Sequence, residues 1–243
     1  MICTTVLLPE ASPGRVLRRA GEIWHPALAA HQVIFGEAGS GKTTLIKSLV
    51  RLCPDERVLI LDPFPDPVWD GPPYDPDAWG RPVAVAPMRG ARGEGGGPCG
   101  QWFRLSGTTD RGETARRFGD ALDIVAAEGH CVLVLDGVGE ITDQLKLAGR
   151  VDSVMNLGRA ANVRVILSAA ETSYLAGRAP AAITWVGHTS GPEAASAGAG
   201  LLGWQGTAGQ DICAAIAPHE WIFSEDQPGS AGPVLIRPNG VSR

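Results

Sequence analysis

The nine residues Gly36-Glu37-Ala38-Gly39-Ser40-Gly41-Lys42-Thr43-Thr44 fill every fixed position of the phosphate-loop pattern G-x-x-x-x-G-K-[ST]. The apolar run Val33-Ile34-Phe35 precedes them and reads as a buried strand. Leu45-Ile46-Lys47-Ser48-Leu49-Val50 follows and reads as the first turns of a helix. This strand–loop–helix context separates a phosphate cradle from a chance cluster of glycines.

The residue types carry the chemistry. The glycines let backbone N–H groups turn inward and approach a phosphate closely. The helix that starts there adds the positive end of its dipole. Lys42 is placed to reach the β- and γ-phosphates of a nucleoside triphosphate, and Thr43 to ligate Mg²⁺. The whole run 36–44 is the expected ATP-binding segment.

Further strands are expected from apolar runs at 57–62, 82–86, 131–136, 163–168 and 183–187, with a last pair near 220–223 and 232–237. Helices are expected at 41–52, 111–128, 143–161 and 191–202. Near-continuous apolar strands alternating with helices predict an α/β fold, a mainly parallel sheet flanked by helices on both faces. The length of 243 residues fits one domain spanning 1–243. One segment stands apart. Residues 63–98 hold 9 of the 19 prolines and run into the glycine-rich 88–97, which marks an insertion at about 63–100.

Bulk properties exclude some classes. No stretch approaches the ~18–20 apolar residues of a membrane span, and residues 1–8 lack the charged start and cleavage site of a signal peptide. The five cysteines, Cys3, Cys53, Cys99, Cys131 and Cys213, have no metal-ligand spacing, and Cys131 reads as a small core residue. A reduced, cytoplasmic setting is the expectation. The net charge of −5 gives no global attraction to nucleic acid, though a ring-shaped motor needs cations only along its channel. Of the 21 cationic residues only Lys42, Lys47 and Lys146 are lysines.

A second motif completes a nucleotide site. Leu133-Val134-Leu135-Asp136 is a hydrophobic strand ending in an acid, 94 positions after Lys42, as expected for the carboxylate that holds the Mg²⁺ shell in phosphate-loop NTPases. A third element, Leu59-Ile60-Leu61-Asp62-Pro63, closes the second strand.

With these in order, the chain resembles the FtsK/HerA superfamily of DNA-pumping ATPases. The stretch from His25-Pro26 and His31 into the phosphate loop is similar to the family's approach to that loop. Leu59-Ile60-Leu61-Asp62-Pro63 resembles its "IDPKG" strand, and Leu135-Asp136 its Walker B strand. Leu157-Gly158-Arg159-Ala160-Ala161-Asn162-Val163-Arg164-Val165-Ile166-Leu167 is similar to its arginine-containing helix and sensor strand. The resemblance covers about residues 25–237 and implies a RecA-like P-loop NTPase.

It departs at three places. The family usually carries Asp-Glu at Walker B, the Glu polarising the attacking water; here Gly137 follows Asp136, and the nearest acid is Glu140 in Gly137-Val138-Gly139-Glu140. Glu140 is either the water-activating acid or merely an acid at a helix start. The family's Thr-Gln sensor is matched by Ala169-Ala170, and its lysine after Asp-Pro by Phe64.

The resemblance implies a homo-oligomeric, hexameric ring around double-stranded DNA, with Thr43 and Asp136 on the metal and Lys42 on the phosphates. A neighbouring subunit would supply an arginine finger, Arg159 or Arg178. At this size the chain resembles packaging ATPases of tailless icosahedral viruses, which implies a capsid partner and virion association. DNA-transfer ATPases of plasmids or mobile elements are the alternative, with a membrane-complex partner. A non-motor nucleotide-binding regulator with little hydrolysis is the reading from another class. Arg89, Arg92 and Arg104 are candidates for channel contacts, and Trp102-Phe103 for either core or a DNA-stacking pair.

Overall fold

The computed structural model describes residues 8–23, 31–53, 56–64, 69, 73–74, 79, 102–158, 160–175, 181–226 and 232–237. The described strands are β1 (Glu10–Ala11), β2 (Gln32–Phe35), β3 (Arg57–Asp62), β4 (Trp102–Ser106), β5 (Cys131–Asp136), β6 (Val163–Ala169), β7 (Ile183–Gly187), β8 (Trp221–Glu225) and β9 (Val234–Ile236). They form a nine-stranded sheet in the order β1-β9-β8-β7-β2-β6-β5-β3-β4. From β7 to β4 every pairing is parallel, while β8 runs antiparallel to both β7 and β9. The expected α/β architecture is therefore the observed one.

The faces follow from strand periodicity. Val58 and Ile60, Val132 and Val134, Ile34 and Ile166 point to one face, against α1 (Pro13–Ile23) and α2 (Lys42–Val50). Leu59 and Leu61, Leu133 and Leu135, Val33 and Phe35, Val165 and Leu167 point to the other. There they meet α3 (Arg111–Glu128), α4 (Ala148–Leu157), α5 (Pro192–Leu201) and α6 (Thr207–Ala214). Both faces of the central strands are dry, which is why those strands are apolar throughout.

This alternation places the chemistry. One step beyond Ile60, Val134 and Ile166, the same face carries Asp62, Asp136 and Ser168 at the carboxyl ends of three adjacent strands. Leu61 is level with Leu135, and Asp136 is level with Ser168. The phosphate loop leaves β2, the next strand along, so the loop and the acids share one edge and one face.

Several sequence expectations are modified. The helix expected at 143–161 is a π-helical turn at Glu140–Gln144 followed by α4. Lys146 between them adopts φ 58°, a left-handed conformation that ends a helix. Trp102-Phe103 opens strand β4, outside the expected strands; Phe103 is buried and meets Trp79 edge-to-face at 5.4 Å between ring centroids. Helices α1 and α6 and strand β1 lie outside the expected set. The expected strand at 82–86, the approach at His25-Pro26, Cys3 and Cys99 lie outside the described residues. Cys53, Cys131 and Cys213 are buried free thiols; burial pushes Cys131 up to about 12 and Cys213 up to about 11, so both are inert packing groups.

Candidate functional site

The loop between β2 and α2 is stitched to both neighbouring strands. Gly36 N–H donates to the Ala169 carbonyl at 3.2 Å, and Glu37 N–H to the His188 carbonyl at 3.1 Å. Glu37 also accepts from the hydroxyl of Ser190 at 2.6 Å and from its backbone N–H, and these bonds hold its pKa below the usual carboxylate value. The glycines are required where the loop turns: Gly39 has φ 77° and Gly41 φ 95°. A side chain on Gly36 would come within 2.8 Å of Ser40 Oγ. That hydroxyl is buried and has no hydrogen-bond partner among the described residues. No side chain caps the first turn of α2. A cradle with open N–H groups and an orphaned hydroxyl fits a phosphate chain.

Lys42 Nζ donates to the carbonyls of Gly36 at 2.7 Å and Glu37 at 2.8 Å, so the ammonium sits over the mouth of the loop. Burial lowers its pKa, against the raising effect of Asp136, Glu140 and Glu37 in that order.

Asp136 is the hub of the site. Its Oδ2 accepts from Thr43 Oγ1 at 2.9 Å and from the Trp69 indole Nε1 at 3.0 Å; its Oδ1 accepts from Ser168 Oγ at 2.7 Å. A hydroxyl and a carboxylate in contact are hard oxygen donors of the kind Mg²⁺ prefers, so Thr43 and Asp136 fit that ion. Among the described residues no cluster of three or more His, Cys, Asp or Glu forms a further metal site.

The Gly137 departure has a structural reason. Gly137 takes φ 100°, a conformation that strains any other residue, and its N–H donates to Ser168 Oγ at 3.0 Å. The chain then folds into the π-helical turn, which brings Glu140 Oε2 within 3.0 Å of the point where a Cβ on residue 137 would lie. The carboxylate of Glu140 therefore occupies the space that the side chain of residue 137 would take. The sensor departure resolves similarly: Ala169 contributes only its carbonyl to the loop, and Ser168 supplies the side-chain contact to Asp136.

Asp62 is buried beside this group. Burial, with the charge of Asp136 adding to it, raises its pKa to about 6, although the Phe64 N–H donates to it at 3.2 Å. Arg104, a candidate channel residue, donates its guanidinium to the Trp69 carbonyl. Arg89, Arg92, Arg159 and Arg178 lie outside the described residues. Ser168 and Trp69 are site residues that the sequence reading did not single out.

No protein-family model matches the sequence. Among curated proteins, a 60-residue stretch is 38% identical to the chloroplastic magnesium-chelatase subunit ChlI of Oryza sativa subsp. indica and of subsp. japonica. That stretch is 25% of this chain and only 13% of the length of those relatives. Among solved structures, the chain is similar to the genome packaging NTPase B204 of Sulfolobus turreted icosahedral virus 2. The sulfate complex superposes with a TM-score of 0.56 at 14% identity, over 86% of this chain and 96% of that one. The AMPPCP complex gives 0.55 at 11% identity, and the ATP-gammaS complex 0.54 at 13%, each over 86% of this chain and 97% of B204. At these identities the likeness is one of fold: the chain has the α/β, RecA-like fold of a P-loop ATPase.

Proposed function

We propose that this chain is an ATPase motor that moves double-stranded DNA, acting as a homo-oligomeric ring of the kind that packages a viral genome into a capsid. The observation that carries the catalytic part is the placement of Glu140 at the side-chain position of residue 137, with Lys42, Thr43 and Asp136 around one loop. The motor part is supported by the fold shared with B204 over most of both chains.

In this reading the open N–H groups of the loop and Lys42 bind the triphosphate, and Ser40 Oγ finds its partner there. Thr43 and Asp136 hold Mg²⁺, which when bound neutralises charge on the β- and γ-oxygens. Glu140 takes the proton of the attacking water as its oxygen bonds to the γ-phosphorus, and ADP leaves. Asp136 is held in one orientation by Ser168 and Thr43 and stays fixed through the step. A neighbouring subunit completes the charge compensation with an arginine, for which Arg159 and Arg178 are the candidates. DNA is gripped through its phosphates, without base readout. Residues of the insertion at about 63–100, Arg89 and Arg92 included, are the proposed contacts. Among the described residues no helix is long and apolar enough to cross a membrane, and virion association accompanies the packaging role.

The test is steady-state ATP turnover with and without linear double-stranded DNA. A several-fold acceleration is expected, weakening as salt rises because phosphate contacts release counterions. Equal rates with and without DNA sink the motor reading. Tight ATP binding with no turnover under either condition identifies a nucleotide-binding regulator instead.

A further inference from the structure

Trp69 lies in the proline-rich insertion and enters the nucleotide site. It is 2% exposed, and three separate groups hold it. Its indole N–H donates to Asp136 Oδ2 at 3.0 Å. The ammonium of Lys47 lies 5.5 Å from its ring centroid. Its carbonyl accepts from the Arg104 guanidinium of β4.

The arrangement is selective in two ways. Trp185, an equally buried tryptophan of the same face, satisfies its N–H with a neutral amide, Gln32 Oε1 at 2.9 Å. Trp69 donates instead to a carboxylate oxygen that also accepts from Thr43. Lys47 follows Thr43 by one helical turn, so one face of α2 meets both Asp136 and the indole. In a chain with 18 arginines and 3 lysines, two of the three lysines lie on this one helix, Lys42 on the loop and Lys47 on the tryptophan.

We infer that Trp69 is a positioning residue of the magnesium site: its indole N–H fixes the Asp136 carboxylate in the orientation that, with Thr43, holds the ion. Oδ1 is set by Ser168 and Oδ2 by Trp69 and Thr43, so the carboxylate cannot rotate without breaking a charge-assisted hydrogen bond. The site is assembled before the ion arrives, and the Trp69 indole ties the insertion to Asp136. The inference rests on the nucleotide-binding reading above.

The experiment is calorimetric titration of wild type and Trp69→Phe with ATPγS, once in excess Mg²⁺ and once in EDTA. Phenylalanine keeps an aromatic ring and removes the N–H donor together with part of the indole's buried volume, and the loss of volume acts equally with and without Mg²⁺. The expected result is an affinity about tenfold weaker for the variant in Mg²⁺, in line with one hydrogen bond to a charged group, and an affinity within about twofold of wild type in EDTA. A parallel Trp185→Phe variant is expected to show no difference between the two conditions. Equal wild-type and Trp69→Phe affinities in Mg²⁺, or the same loss with and without Mg²⁺, overturn the inference while leaving the nucleotide site standing. A wild-type chain that binds ATPγS under neither condition overturns both the inference and the reading beneath it.

Discussion

Lys42→Ala is expected to abolish ATP turnover, by about 10³-fold or more, in a protein that remains folded. The ammonium lies at the mouth of the loop, bonded to two loop carbonyls, where the β- and γ-phosphates are to be held. Removing a single preorganised donor from such a site costs about 10²–10³-fold, and here a full positive charge goes with it. Folding is expected to survive because Lys42 is only part-buried and belongs to neither apolar core. Phosphate release measured beside a thermal melt separates the two effects. Turnover within tenfold of wild type, with an unchanged melt, places the chemistry elsewhere.

The second large effect concerns Glu140. Glu140→Gln preserves size and one acceptor oxygen but cannot take a proton, so single-turnover hydrolysis should slow by about 10²–10⁴-fold. ATPγS affinity should change by less than about threefold, because Glu140 makes none of the contacts that hold the loop. The geometry behind this is the left-handed Gly137, which removes any side chain from that position and leaves its space to the Glu140 carboxylate. A rate within threefold of wild type removes Glu140 from the chemistry. Asp62 is the contrast. Its carboxyl is buried, is pushed up to about 6 and accepts from the Phe64 N–H, whereas the space beside Gly137 is taken by Glu140.

Much of this was legible in the chain itself. Strands β2, β3, β5 and β7 are continuous apolar runs because both of their faces are covered, and such runs announce themselves. Strand β4 escaped because it lies at the sheet edge, where Trp102-Phe103-Arg104-Leu105-Ser106 alternates between buried and part-exposed positions. The break between Glu140–Gln144 and α4 escaped because it depends on a left-handed lysine, a residue that gives no turn signal. The phosphate loop and Asp136 were readable because strand ends and glycine spacing encode them locally. Ser168 and Trp69 were not, since they reach Asp136 from 32 and 67 positions away and only sheet register and tertiary packing bring them there. Glu140 lies between these cases. Its spacing from Asp136 was visible, but its orientation required the φ of Gly137.

The central claim is that ATP turnover at this site moves DNA, and a triplex-displacement assay addresses movement directly. A labelled third strand is annealed to linear duplex DNA, and its release is followed after addition of protein and ATP. Release is expected to require hydrolysable ATP, to fail with ATPγS, and to be lost in Lys42→Ala. DNA-accelerated ATP turnover with the third strand left in place contradicts that claim.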